Sequence, residues 1–155
     1  MANNQSFWRI AGLGIACLAV GLVPAELHAD LDKAKAEPNL EKRSALALAN
    51  AAAAFQTARA AYQKGDNDAV AAAAAEIQES VDLAYTSLTQ TGKNPRKSPK
   101  WFKKAEIQTR DLARKLDSLE QEMSFTERPI LAKVRAKVQQ VHDDLLVGLM
   151  EGKKK

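Results

Sequence analysis

The sequence predicts an all-α protein: an antiparallel, up-down-up-down four-helix bundle preceded by an export signal. Alanine is abundant and β-branched residues are scarce in the first half, with 17 alanines between residues 45 and 84, and this composition favours helix over sheet. Glycine and proline are few and widely separated. The apolar residues between them recur every three or four positions, a spacing typical of helices with one buried face.

The first 29 residues have the three parts of a secretory signal peptide. Arg9 lies in the short leader, residues 10–23 form an apolar run, and a small-residue exit ends at Ala29. A membrane-spanning helix needs about 20 apolar residues, so this run is too short for a stable span. We expect the peptide to be cleaved, which predicts a periplasmic or extracellular protein with no membrane span.

Two cleavage sites fit the small-residue rule, after Ala25 and after Ala29. We favour Ala29, because Pro24 then lies in the exit region. Cys17 is the only cysteine and lies in the middle of the apolar run, so a lipid anchor is not expected. Cleavage of the signal peptide would remove Cys17. The mature chain would then have no disulfide, no thiol catalysis and no cysteine-ligated metal.

The predicted mature chain suits one domain. It divides into a polar leader over residues 30–37, a bundle over 38–151 and a basic tail over 152–155. The predicted signal contains one cation, Arg9, and one anion, Glu26, so cleavage leaves the net charge of +4 unchanged. A net charge this small indicates a partner only where the charges cluster.

The first predicted helix begins near Pro38, because proline suits a first helical turn. It runs to Lys64, where Gly65 offers the left-handed residue that commonly ends a helix. Its large apolar residues recur every seven positions at Leu48, Phe55 and Tyr62.

The second predicted helix runs from about Asp68 to Thr91 and ends at Gly92, with Asp66 or Asn67 as its cap. The short turn before it predicts that the first two helices are antiparallel neighbours. The apolar positions of this helix are Val70, Ala74, Ile77, Val81, Ala84 and Leu88.

The third predicted helix begins at Pro99, after a capping hydroxyl on Ser98, and runs to about Met123. Its apolar positions alternate by three and four residues, as in the seam of an antiparallel bundle. With one polar member, these positions are Phe102, Ala105, Thr109, Leu112, Leu116, Leu119 and Met123.

The fourth predicted helix follows a capping-box sequence, in which Ser124 and Glu127 would satisfy each other's backbone amides. Pro129 marks the same break, and the helix ends around Met150, before Gly152. The buried positions predicted here are Leu131, Val134, Val138, Val141 and Leu145.

The alanines of the first two helices allow two interpretations. In the first, they let the two helices of one hairpin approach closely. In the second, an alanine-rich face is covered by a partner helix or by a second copy of the chain, which would give a homodimer.

One nine-residue segment, Ala61 to Ala69, resembles the turn between the paired helices of a tetratricopeptide repeat. A whole tetratricopeptide repeat has 34 residues, so its helices are about half as long as those predicted here. The chain as a whole resembles small exported bacterial helical proteins of unassigned function, a resemblance that implies no activity. It is carried by Leu40 to Ser44, Thr91 to Arg110 and Val141 to Leu146.

Charge concentrates in the loop before the third helix and in that helix's first turns. No acid occurs from Leu83 to Ala105, while six cations lie between residues 93 and 104. The free amides and the dipole at a helix start also favour anions. With one aromatic residue, the predicted anion-binding set is Lys93, Arg96, Lys97, Lys100, Trp101, Lys103 and Lys104.

Trp101 lies between Lys97 and Lys104, an arrangement that would stack a sugar or a base beside cations. In the alternative interpretation, Trp101 and Phe102 close one end of the bundle while the lysines stay solvated. The acids that follow offer little compensation, because they are expected to pair within their own helix, four residues on. These pairs are Glu106 with Arg110 and Asp111 with Lys115.

No residue pattern indicates catalysis, a cofactor or a metal. His142 has Asp143 and Asp144 beside it, but no ligand three or four residues away on its own helix face, so we expect it to flank the core. Glu76 and Glu79 share a face and are expected to be solvated. There is also no glycine-rich phosphate loop and no serine in a nucleophile elbow.

Two function classes therefore remain ahead of an enzyme. The first is a non-catalytic interaction or structural module of the bacterial cell envelope, because long amphipathic helices offer surface without chemistry. The second is a binder of anionic polymer or lipid head groups through residues 93–104. The sequence identifies neither the partner nor the oligomeric state.

Overall fold

A computed structural model describes residues 26–151. The described chain is all-α and has no strand, which confirms the all-α part of the prediction. The predicted apolar signal run, Cys17 and the basic tail lie outside the described residues. The helices are α1 Glu26–Ala36, α2 Leu40–Gln63, α3 Asn67–Gln90, α4 Pro99–Glu122 and α5 Pro129–Glu151.

Helix α1 is a difference from the sequence prediction, which assigns residues 30–37 to a polar leader. Leu31 and Ala34 lie three residues apart on one side of α1, and both are buried, with α1 in contact with α2. Lys35 also reaches Glu79 of α3, with 2.6 Å between Nζ and Oε1. Two apolar residues are too few for a visible pattern, so packing against α2 stabilises this helix more than its own sequence does.

The four long helices have the predicted bounds to within about two residues. Asn39 caps α2 by accepting a hydrogen bond from the Lys42 amide, so α2 begins just after Pro38. At the other end of α2, Gly65 has a φ of 72°, and the amides of Gly65 and Asp66 donate to the last carbonyls of the helix. This pair of bonds is a Schellman motif, which glycine favours because it has no Cβ.

The predicted cap of α3 is present, and the predicted caps of α4 and α5 differ from the structure in whole or in part. Of the two candidate caps for α3, Asp66 makes the bond, accepting from the Ala69 amide. Ser98 makes no side-chain capping bond, which corrects the prediction for α4. The Glu127 carboxylate accepts from the Ser124 amide, as the capping box predicts. The Ser124 hydroxyl donates to the same carboxylate and does not accept from the Glu127 amide, which instead donates to the Ser124 carbonyl.

The predicted apolar faces of α3, α4 and α5 are all buried in one core, which also includes Leu48 and Phe55 of α2. Tyr62 lies at the edge of this core and donates a hydrogen bond from its hydroxyl to the Glu122 carbonyl. Thr109, the one polar member of the α4 seam, is fully buried and donates to the Ala105 carbonyl of its own helix. The periodicity therefore placed these helix faces correctly.

The long helices form two antiparallel hairpins, α2 with α3 and α4 with α5. Between the hairpins, α2 lies beside α4 and α3 lies beside α5. The bond from Tyr62 to Glu122 joins the C-terminal ends of α2 and α4, while Asn67 and Glu127 join the N-terminal ends of α3 and α5. Neighbours are thus antiparallel within each hairpin and parallel between hairpins, so the predicted antiparallel order holds only within the hairpins.

The loop over residues 91–98 crosses one end of the molecule diagonally, from the end of α3 to the start of α4. Pro95 touches α5, since a Cβ built on Gly148 would lie 3.3 Å from Pro95 Cγ. Helix axes 8–10 Å apart make this diagonal about 13 Å, which eight residues span easily.

A buried polar cluster lies between α2 and α3. The Asn50 amide group donates to the Glu76 carboxylate at 2.9 Å and to the Ser80 hydroxyl at 3.0 Å. All three residues are buried. The expectation that Glu76 is solvated was wrong, because the small alanine side chains around it let the two helices close over its carboxylate; Glu79 is exposed as expected.

Candidate functional site: the cationic end of the molecule

The predicted anion-binding residues lie together at the end of the molecule that the diagonal loop crosses. We call the set Lys93, Arg96, Lys97, Lys100, Trp101, Lys103 and Lys104 the cationic patch. All six of its cations are exposed, and Trp101 is half-buried against the core. Part of the Trp101 ring therefore packs against the core, and the rest lies among exposed cations.

Asn94 organises the turn that carries two of the cations. Its side-chain oxygen accepts hydrogen bonds from the amides of Arg96 and Lys97, at 3.0 and 3.3 Å. Its backbone carbonyl accepts from the amides of Lys97 and Ser98. An asparagine that closes a turn on its own backbone restrains the loop, so the cations of this turn are held on an ordered backbone.

Lys93 is paired with an acid that sequence reasoning missed. Its Nζ lies 2.8 Å from Oε1 of Glu41, in the first turn of α2. The two residues are 52 positions apart, so no local spacing signals the pair. The pair neutralises one cation of the patch and ties the loop to α2.

Trp101 compensates two further cations. The Nζ atoms of Lys100 and Lys104 each lie 5.5 Å from the centroid of the Trp101 ring. The negative face of an aromatic ring attracts ammonium groups at this distance, by about 0.5–1 kcal/mol each at an exposed site. This attraction offsets part of the repulsion between neighbouring lysines.

The side chains of Arg96, Lys97 and Lys103 make no ion pair within residues 31–151, for which side chains are described. The nearest acids of α4 pair within their own helix, as expected. Glu106 pairs with Arg110 at 3.6 Å. Asp111 pairs with Arg114 at 2.7 Å and not with Lys115 as predicted, because residues three apart also face each other on a helix.

Two clefts border the patch, and Lys93 lines both. The first has a volume of about 340 Å³ and is lined by Glu41, Lys93, Ser98, Pro99, Lys100 and Trp101. The second has a volume of about 160 Å³ and lies between α3, α5 and the loop, with Phe102, Leu145 and Tyr85 among its lining. Burial raises the pKa of Tyr85, and the nearby Asp144 carboxylate raises it further.

His142 flanks the core, as expected, and is buried. Its Nδ1 lies 3.6 Å from Oε1 of Glu106, across the interface of α4 and α5, and makes no hydrogen bond. Among residues 26–151 there is no group of three or more histidine, cysteine or acidic residues placed to hold a metal ion. Over the same residues, no helix is both long enough and apolar enough to cross a membrane.

The geometry of the patch is suited to binding anions by charge. Six cations and an aromatic ring are held on a restrained turn and on the start of a helix whose cap residue, Ser98, makes no side-chain capping bond. Comparison with known proteins adds no further information on function, because no protein-family model, no curated protein and no solved structure matches the chain.

Proposed function

We propose that the protein is an exported, non-catalytic helical module of the bacterial cell envelope whose interaction surface is the cationic patch. In this proposal, residues 1–29 are a cleaved signal and the four long helices form the up-down-up-down bundle. The ligand is an anionic polymer or an anionic head group. The packing of α2 beside α4 and of α3 beside α5, and the core that all four helices share, support the bundle.

One observation carries the binding function: cations are concentrated where the fold supplies too few acids to pair them. Glu41 pairs with Lys93, and no other acid within the described residues pairs with a cation of the patch. Clustered like charges repel one another. Binding of an external anion at this surface would reduce that repulsion and is therefore favoured.

The experiment is retention on a polyanion resin. Lys97, Lys100 and Lys104 are changed together to glutamine, which keeps the side chains polar and removes three charges. The matched control changes Lys64, Lys115 and Lys133 to glutamine, since these exposed lysines lie outside the patch and give the same change in net charge.

We expect the patch variant to lose retention at low salt while the control variant keeps most of it. Both variants should have the circular dichroism and the melting temperature of the parent, because all six side chains are exposed. Equal retention of the patch variant and the parent, at low salt and at about 0.15 M, would contradict the proposal, since binding through phosphate-type contacts weakens with salt.

A second candidate is a structural role as a homodimer through the alanine-rich helices. Most alanines on the sides of α2 and α3 that face each other are buried within the hairpin. On other sides of these helices, alanines such as Ala49, Ala53, Ala72 and Ala75 are exposed. Small side chains would let a helix of a second copy approach closely. Light scattering tests this candidate: a monomer mass across a wide concentration range would exclude it.

A further inference from the structure

We infer that the cationic patch binds a flexible polyanionic chain through its charges alone, without stacking a base or a sugar ring on Trp101. This inference rests on the proposed function, since it specifies the ligand of the same patch. It replaces the stacking role that the sequence suggests for Trp101.

The first argument is the position of the two ammonium groups over the Trp101 ring. Part of the ring packs against the core. Lys100 and Lys104 both hold their Nζ atoms 5.5 Å from its centroid. A base that stacked on the ring would have to displace these two cations. The favourable interaction between the cations and the ring would then be lost. The ring therefore positions the two lysines, and the lysines contact the ligand.

The second argument is the spread of the cations. Lys100 and Lys104 are one helical turn apart, about 6 Å along the axis, and Arg96 and Lys97 extend the patch into the preceding turn. The side chains are exposed and do not converge on an enclosed cavity. A single small anion would contact only some of these cations, whereas a chain of anionic groups can contact all of them, one after another.

The third argument concerns Glu41. Its carboxylate lines the cleft beside Trp101 and neutralises Lys93. An anionic chain would gain little attraction from this neutral pair and would follow the five remaining cations, Arg96, Lys97, Lys100, Lys103 and Lys104. Glu41 thus sets one boundary of the ligand path.

These arguments predict the salt dependence of binding. For a single-stranded polyanion, the logarithm of the association constant falls with the logarithm of salt by about 0.7 for each neutralised phosphate. Five cations would give a slope of about −3.5. Glu41→Gln releases Lys93, so binding should become tighter and the slope should steepen by about 0.7.

The decisive comparison uses two probes of 20 nucleotides, oligothymidylate and an abasic oligodeoxynucleotide with the same phosphodiester backbone. Affinities of the purified protein for both are measured by fluorescence anisotropy from about 20 mM to 0.2 M salt. Glu122→Gln is the control for Glu41→Gln, since it removes an exposed acid at the opposite end of the molecule.

We expect the two probes to bind with affinities that differ by less than threefold. A threefold or greater preference for oligothymidylate would overturn this inference and leave the proposed function intact, because even one stacked base contributes about fivefold or more. If neither probe binds at 20 mM salt, the proposed function fails with the inference. An unchanged slope in Glu41→Gln would remove Glu41 as the boundary of the ligand path.

Discussion

Lys93 and Glu41 are joined across the end of the molecule, with 2.8 Å between the lysine Nζ and the glutamate Oε1. Lys93 lies in the loop between the hairpins, while Glu41 lies in the first turn of α2. Together with the contact of Pro95 on Gly148, this pair sets the course of the diagonal loop. It also removes one of six cations from the surface on which the proposed function depends.

Leu116→Ala should destabilise the protein by about 2–5 kcal/mol. Leu116 is fully buried in the C-terminal half of α4, so truncation removes apolar contacts and leaves a cavity. Chemical denaturation measures the free energy of unfolding. The control is Lys115→Ala on the same helix, which is exposed and should change it by less than about 0.5 kcal/mol. A loss for Leu116→Ala as small as the control's would contradict the described packing of α4.

Asn50→Ala should destabilise the protein by about 1–3 kcal/mol, although it removes few apolar contacts. The Asn50 amide group is the side-chain donor to the buried Glu76 carboxylate, and a buried acceptor without its partner costs about this much. Urea unfolding measures the effect, with Gln56→Ala as the exposed control on the same helix. If both variants unfold at the same urea concentration, the buried cluster contributes no stability.

Glu127 should make the stability depend on pH in the acid range. Hydrogen bonds from the Ser124 hydroxyl and then from Asn67 hold the pKa of Glu127 below its ordinary value of 4.5. A carboxyl with a lowered pKa in the folded state stabilises the protein above about pH 4.5. This stabilisation is lost as the pH falls through the folded-state pKa.

The measurement is the melting temperature of parent and Glu127→Gln between pH 7 and pH 3. The difference between them should be largest near neutral pH and should shrink below about pH 4.5, where the parent loses the same interaction. Asn67→Ala removes one donor and should raise the pKa of Glu127 toward 4.5. A melting difference that does not change with pH would show that ionisation of Glu127 is not involved.

The exported protein should begin at Asp30, as shown by intact mass. Cleavage there would shorten α1 to residues 30–36 but would keep its two buried residues, Leu31 and Ala34. A chain that begins at Glu26 would move the cleavage site to Ala25 and leave α1 whole. A chain that retains Met1 in the membrane fraction would contradict cleavage.

The boundaries of the long helices could be predicted because they depend on local chemistry. Gly65 ends α2 through a left-handed conformation that other residues adopt at a cost, and Pro99 begins α4 where its missing amide is not needed. The buried faces could also be predicted from local sequence, because a spacing of three and four residues places Leu112, Leu116 and Leu119 on one side of a helix. Helix α1 could not be predicted, because packing against α2 stabilises it and its own sequence has no clear apolar periodicity.

The candidate site was predicted as a set of residues but not as an arrangement. Six cations within 12 residues are visible in the sequence, and so is the tryptophan among them. Glu41 could not be found in this way, because it approaches Lys93 only through the fold. The same holds for Glu76, which a helical wheel places beside exposed Glu79 but which α2 covers.

The sequence by itself determined that the chain is helical, where the long helices begin and end, and which face of each is buried, because these properties depend on residues within a few turns of one another. Only the tertiary structure decided that α2 packs beside α4 and α3 beside α5, so that neighbours between the hairpins are parallel. Apolar faces of this kind fit either order of neighbours, and an eight-residue loop is long enough for both. The choice between them depends on how side chains from distant parts of the chain pack together, and that choice also brought Glu41 to the edge of the cationic patch.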